Sequence, residues 1–336
     1  MPARLAAEPR RMSARLVVTP RQYTRVAWLA LAALTLIVLS GAAVRLTDSG
    51  LGCPTWPRCY GHIYPPVAIH PLIEFGNRAV AGLVGVIAAA AAVLAFRRRP
   101  FRRDLAVLAL LLPLGVIAQA VLGGYTVREK LAPGFVMSHF LLSMAVLIPA
   151  FALVWRSLHE PGSRPRSSDR PLVWTVRALA PLAALTILAG TAATAAGPHS
   201  GGLVGQHVVR LTIKGPDTLE WAVHQHAVIA VIFGLAVILA WLLKRRGSAG
   251  PLDPLEPLTV LGLLLAAQGL VGSVQYELKL PAEMVWVHVG LATITWLVTL
   301  WAVASEGRLA PRSAPAGAGD DMAGAAAGRA LETVGR

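Results

Sequence analysis

Stretches of about 20 mostly apolar residues, long enough to cross a bilayer as helices, recur near 25–44, 77–96, 105–127, 136–155, 174–196, 222–243, 255–276 and 283–304. The pattern predicts an all-α polytopic membrane protein with eight transmembrane helices. The connections alternate in character. Residues 1–25, RRRPFRR (97–103), the segment 156–172 and KRR (244–246) are rich in arginine. The intervening loops carry cysteines, prolines, histidines and mixed charges. By the positive-inside rule the basic set is cytoplasmic. The chain is then expected as a multi-pass protein of the cell (cytoplasmic) membrane, with both termini cytoplasmic and the cysteine loop outside. The basic N-terminus has no short apolar core followed by a small-residue cleavage site, so the run from Arg25 reads as a retained first helix.

The two halves repeat. QAVLGGYTVREKLAPGFVMSH (119–139) lies without gaps on QGLVGSVQYELKLPAEMVWVH (268–288). Gln119 meets Gln268, Gly123 meets Gly272, Lys130-Leu131 meets Lys279-Leu280, and His139 meets His288, at an offset of 288 − 139 = 149. The same offset carries Asn77 onto His226 (77 + 149 = 226). The eight helices are therefore expected as two tandem four-helix bundles. An even number of helices per half makes the repeats parallel. The expected organisation is a cytoplasmic segment 1–24, a first bundle 25–155, a cytoplasmic linker 156–172, a second bundle 173–305 and a tail 306–336. The Ala/Gly-rich tail reads as disordered.

Composition sharpens this picture. The 336 residues are 55% hydrophobic and 14% charged, against about 25% charged in soluble domains. A net charge of +14 could mark a nucleic-acid binder. Its clustering between apolar runs fits membrane topology instead, and no nucleic-acid partner is expected. The only two cysteines, Cys53 and Cys59, share one short loop. On an oxidising side they would form a disulfide; two unpaired thiols or a metal pair are the alternatives.

The polar residues inside the spans carry the chemistry. His226 and His288 fall near the outer ends of helices six and eight, which cross the bilayer in the same sense. At about 1.5 Å rise per residue their depths match. Two imidazoles so placed can bind opposite faces of one iron macrocycle, a bis-histidine haem in a bundle core. The competing reading of each is a hydrogen-bonding strut between helices. His224 competes with His226 but points to another side of the helix, and the repeat register favours His226. His62, His70, His199 and His207 fall in outer loops. In IEFGNR (73–78), Glu74 and Asn77 share a helix face. Glu74 is either a functional intramembrane acid or half of an i,i+4 pair with Arg78. Arg78 and Arg45 are each open to a haem propionate or to Glu74. Position 223, the counterpart of Glu74, is Val, and the cysteine loop has no counterpart in 197–219. One half keeps two histidines and no acid; the other keeps an acid, one histidine and the cysteines. Divergence of this kind suggests one cofactor site and one reaction site.

The pattern GAAVRLTDSGLGCPTWPRC (41–59), with IEFGNR (73–78), SHFLLSMAV (138–146) and HVGLA (288–292), resembles the haem A synthase family over about residues 25–304. The resemblance implies an eight-helix protein with a four-helix repeat. Such a protein oxidises a methyl group of haem O to the formyl group of haem A by successive hydroxylations, for cytochrome oxidase assembly. It implies a haem b cofactor held by His226 and His288, with haem O as substrate in the N-terminal half near His139. Glu74 would be the catalytic acid, and Cys53 and Cys59 the family's disulfide pair. One departure stands out: where the family pattern has a histidine three residues after that Glu, this chain has Asn77. Expected partners are haem O, a haem O synthase, an electron donor that the sequence does not identify, and the lipid bilayer, with room for a homo-oligomer. The alternatives are a b-type cytochrome that only relays electrons, a non-catalytic assembly factor or haem carrier, and a transporter. Asn77 speaks against a cytochrome with two equivalent sites. The gathering of polar groups at one end speaks against a transporter, which needs them at the midplane.

Overall fold

A computed structural model describes residues 17–248, 250 and 253–310 of the chain. Residues 1–16 of the basic N-terminal segment and 311–336 of the tail lie outside the described residues. Among the described residues eight α-helices follow one another: α1 (Pro20–Leu46), α2 (Ile69–Arg97), α3 (Arg103–Arg128), α4 (Pro133–Leu158), α5 (Arg170–Ala196), α6 (Thr218–Arg246), α7 (Pro257–Glu277) and α8 (Ala282–Glu306). All eight are long and apolar enough to cross a membrane. The chain is an all-α, multi-pass membrane protein.

Most helices overrun the apolar stretch that predicts them, running on into flanking polar residues such as Arg97, Arg128 and Arg246. Thr19 and Gln22 form a capping box at the start of α1, satisfying backbone N–H groups that have no partner within the helix. Helix α2 begins at Ile69, so Glu74, Asn77 and Arg78 all lie within a continuous helix. The linker between α4 and α5 is shorter than the polar stretch 156–172, because α4 runs on to Leu158 and Asp169 caps the start of α5 by accepting from the Leu172 N–H.

Helix α1 packs on α2 and α4, α2 on α3, and α3 on α4, closing a ring of neighbours. Likewise α5 packs on α6 and α8, α6 on α7, and α7 on α8. The rings touch through α1 and α4 against α8, and α4 against α5. The diagonal helices α2 and α4, like α6 and α8, make no such contact among the described residues. Close packing rests on small side chains: Ala27 and Ala30 on α1, Ala88, Ala91 and Ala95 on α2, and Ala106 and Ala109 on α3 are all buried. In lipid the hydrophobic effect does not drive helices together, so close backbone approach and dispersion must do it. Leu110, Leu114 and Ile117 of α3, and Val231, Leu235 and Ile238 of α6, are exposed large apolar residues of the kind that faces lipid tails.

The repeat offset reappears in the backbone. Both bounds of α2 map onto those of α6 (69 + 149 = 218; 97 + 149 = 246), and α4 starts where α8 does (133 + 149 = 282). Lys130 and Leu131 have φ of 50° and 61°, and Lys279 and Leu280 have 64° and 63°. Two consecutive non-glycine residues in the left-handed region cost about 1–2 kcal/mol each. Matching bonds hold both corners: the Leu131 N–H donates to the Thr126 carbonyl (2.9 Å) and that of Leu280 to Gln275 (2.7 Å). Each corner sets the start of the next helix, and so the depth of His139 or His288.

Candidate functional site

In the C-terminal ring, His226 on α6 and His288 on α8 face each other across the diagonal. Their ring centroids are 6.2 Å apart and their planes nearly perpendicular. His224 points outward and is exposed, so His226 is the α6 imidazole that faces His288. Glycines on the adjoining helices back both rings. A Cβ at Gly190 of α5 would lie 3.0 Å from His226 Cε1, and one at Gly272 of α7 would lie 3.1 Å from His288 Cε1. Nδ1 of His226 lies 3.0 Å from the carbonyl oxygen of Thr186. A carbonyl only accepts, so Nδ1 carries the proton and the lone pair is on Nε2, the form a metal takes. Gln268 lies 3.2 Å from both Nδ1 and the carbonyl oxygen of His288, so that ring too has a protein partner on its Nδ1 side. The space between the rings suits one metal ion taking a nitrogen from each side at about 2 Å. The donor set fits a bis-histidine haem iron.

The N-terminal ring uses the same frame with different side chains. A Cβ at Gly123 of α3 would meet His139 Cε1 at 3.3 Å. Gln119 donates to the His139 carbonyl (3.1 Å) and to Ser143 Oγ (2.6 Å). Nδ1 of His139 and Oε1 of Gln119 are both buried without a partner, a complementary donor–acceptor pair at the positions where Gln268 approaches His288. At the site equivalent to His226, Asn77 Oδ1 accepts from Ser40 Oγ of α1 at 2.8 Å.

Over this ring lies the loop between α1 and α2, closed by a Cys53–Cys59 disulfide. Glu74 is buried, 5% exposed. One carboxylate oxygen accepts from the Cys53 N–H (2.6 Å), and the other pairs with Arg78. Arg78 then donates to the carbonyls of Thr55 and Cys53, both at 2.9 Å. Of the two partners open to Arg78, the structure therefore shows Glu74. The ion pair clamps the loop to α2, and Trp56 packs on Gly124, where a Cβ would come within 2.9 Å of the indole. Gly123, which backs His139, is the adjacent residue, so the loop caps the His139 end of the bundle.

Arg45 is engaged elsewhere. Its guanidinium donates to the carbonyls of His199 and Thr194, both at 3.0 Å, and so ties α1 to the opposite ring. Gly50 N–H donates to Gly201 at 2.7 Å and joins the two long loops. His199 Nε2 donates to the Leu280 carbonyl (2.7 Å) and His70 Nδ1 lies 3.0 Å from Ser49 Oγ; both serve the loop layer. His62 and His207 are exposed. The sequence reading did not find Ser40, Thr186 or Gly190. Thr186 acts through a backbone carbonyl, which leaves no mark on residue identity. Gly190 is legible only once the histidine that it backs is known.

Fold and site together define a multi-pass helical membrane protein with paired histidines inside a helical ring. A family model described as cytochrome oxidase assembly protein matches residues 24–70 and 67–201, and the chain belongs to that family. It is 33% identical over 173 residues to the heme A synthase of Shewanella oneidensis, covering 45% of this chain and 48% of that protein. It is 35% identical over 122 residues to the heme A synthase of Halalkalibacterium halodurans, covering 36% and 39% respectively. A protoheme IX farnesyltransferase of Thermus thermophilus is 31% identical over 295 residues, covering 83% of this chain and 47% of that protein. The chain thus spans about half the length, or less, of these curated relatives.

Proposed function

We propose that this protein is a haem A synthase, a membrane oxidoreductase that converts a methyl group of haem O to the formyl group of haem A. The observation that carries the reading is the unequal pair of sites in one repeated frame: two facing imidazoles in one ring, and a single imidazole under a disulfide-capped loop in the other. Oxidation of an unactivated methyl group is chemistry that no side chain supplies; bound haem iron supplies it. His226 and His288 would hold a haem b between α6 and α8. His139 would bind the substrate haem O in the first ring, with Asn77 on the opposite helix. Two tandem bundles, 25–155 and 173–305, joined by the linker 156–172, are supported by the two closed rings of helix neighbours. The arginine-rich ends belong in the cytoplasm and the disulfide loop outside, in a cell membrane.

Glu74 belongs to the substrate side of this scheme. With its carboxylate engaged by Arg78 and the Cys53 N–H, it is best assigned as a positioning residue that holds the loop over the substrate. Arg78 acts with it, and Arg45 joins the two rings rather than reaching a propionate. The farnesyltransferase name of the Thermus protein does not carry over, since the family model that matches this chain is that of cytochrome oxidase assembly proteins. A non-catalytic assembly factor is the second reading, favoured by Asn77.

The test is haem extraction and chromatography from the protein purified after co-expression with a haem O source. Haem A or a hydroxylated haem O is expected. Haem b alone, unchanged by the haem O supply, would overturn the proposal in favour of an assembly factor or cytochrome.

A further inference from the structure

Asn77 occupies the place of an axial ligand without the chemistry of one. The register is fixed on both sides of it. Asn77 and His226 are each eight residues past the start of their helices (77 − 69 = 226 − 218 = 8). His139 and His288 are each six past theirs (139 − 133 = 288 − 282 = 6). In the second ring these positions bring two imidazoles to 6.2 Å. In the first ring they offer an imidazole on α4 and a carboxamide on α2. The carboxamide is smaller than an imidazole and is a poor iron ligand, because its nitrogen lone pair is delocalised into the carbonyl. Here its oxygen is already used, accepting from Ser40 Oγ at 2.8 Å. Among the described residues the amide nitrogen, a donor only, has no hydrogen-bond partner. The backing also differs. Gly190 has His226 against it, whereas no heavy atom lies within 4 Å of a Cβ built on Gly41, its counterpart at the 149 offset. Space that the second ring fills with an imidazole stays open in the first.

We propose that the first ring is a small-ligand site: it holds its haem through His139 alone and leaves the opposite face open to a small neutral ligand, with the Asn77 amide nitrogen as hydrogen-bond donor and Ser40 fixing the amide's orientation. This rests on the substrate haem lying in the first ring. It assigns to Asn77 a role that an imidazole would abolish, and makes the two sites differ in coordination number as well as in cargo. A neutral donor suits a ligand that is small and weakly polar, since Asn77 and Ser40 offer no charge to pair with a charged one.

The experiment uses the full chain purified with both haems bound, reduced with dithionite and exposed to carbon monoxide. About half of the reduced haem should shift its absorption band, and the remainder should stay low-spin and unreactive. Asn77→His should abolish carbon monoxide binding and turn the high-spin signal low-spin. Asn77→Ala should keep carbon monoxide binding but shift the C–O stretching frequency, and Ser40→Ala should shift it in the same direction by less. Two haems per chain, both low-spin and both inert to carbon monoxide, would overturn the inference and leave the synthase reading standing. A carbon monoxide complex with a stretch unchanged by Asn77→Ala would overturn the donor role. A chain that takes up only one haem, however much haem O is offered, would sink the substrate site and this inference together.

Discussion

The two rings are built on one frame and differ at a few positions. In the C-terminal ring both diagonal helices present an imidazole, each backed by a glycine and each with Nδ1 next to a protein group. In the N-terminal ring one imidazole remains, its Nδ1 is orphaned, and the partner position holds an amide. Two features that the second ring lacks, an acid at the Glu74 position (Val223 there) and a disulfide-closed loop, are added over this one. A site that keeps a cofactor permanently gains from two strong ligands and, at His226, a preset tautomer. A site that must admit and release a haem-sized substrate gains from one ligand fewer and from a cap. The glycine-backed histidine and the left-handed Lys-Leu corner persist in both rings, where they set depth and spacing.

Removing a histidine from each ring should break this comparison most visibly. If His226 and His288 hold the haem as proposed, His288→Ala deletes one of two ligands and leaves His226 facing an empty wall. Loss of a mere supporting partner of a metal ligand lowers affinity about 10–100-fold, so loss of the ligand itself should exceed that. The low-spin spectrum should vanish from purified protein. His139→Ala should leave that spectrum intact and instead abolish retention of the substrate haem. If His139→Ala removed the low-spin signal, or His288→Ala spared it, the two sites would be assigned to the wrong rings.

Much of this frame was legible in the sequence, and the reason is periodic. Spans follow from apolar length, and the Gln, Gly, Lys-Leu and His matches at one offset gave the register that the helix bounds later repeat. The register also singles out His226, which faces His288, over His224, which is exposed. The positions whose roles stayed open are those decided by where one long side chain ends. Arg45 sits in the same motif as the cysteines, yet its guanidinium reaches carbonyls of the opposite ring. No spacing rule gives a contact between residues 45 and 194. Glu74 and Arg78 at i and i+4 were correctly a possible pair, but only the structure shows that the pair closes on the backbone of the cysteine loop.

Glu74 supplies the next test, because its two expected roles separate. If it positions the loop, Glu74→Gln weakens the bonds to Arg78 and Cys53 N–H. Hydrogen bonds to a charged group are worth about 1.5–3 kcal/mol. The disulfide should then be reduced faster by a mild reductant, read by alkylation of the freed thiols. Arg78→Met should have a similar effect, and the double variant should cost less than the sum of the two. Haem A formation should fall in step with loop opening. A Glu74→Gln variant that loses haem A formation while its disulfide is reduced at the wild-type rate would instead put the carboxylate on the reacting haem.

The smallest expected effect compares the glycines behind the two histidines. Gly272→Ala places a Cβ 3.1 Å from His288 Cε1, and Gly123→Ala places one 3.3 Å from His139 Cε1. Both distances are tight, so each ring must move by a few tenths of an ångström. His288 cannot move freely, because Gln268 lies beside it and an iron shared with His226 would fix its far side. His139 has an unpartnered Nδ1 and no second imidazole across the ring. Overpacking of a rigid site costs about 1–3 kcal/mol, and a site that can yield pays less. With the haems placed as proposed, Gly272→Ala should therefore shift the low-spin haem band and reduce haem retention in that ring measurably, while Gly123→Ala should leave haem binding in the first ring within about a factor of two to three, under 1 kcal/mol. Equal losses in the two variants would show that the first ring is held as rigidly as the second, and would remove the mechanical half of the contrast between them.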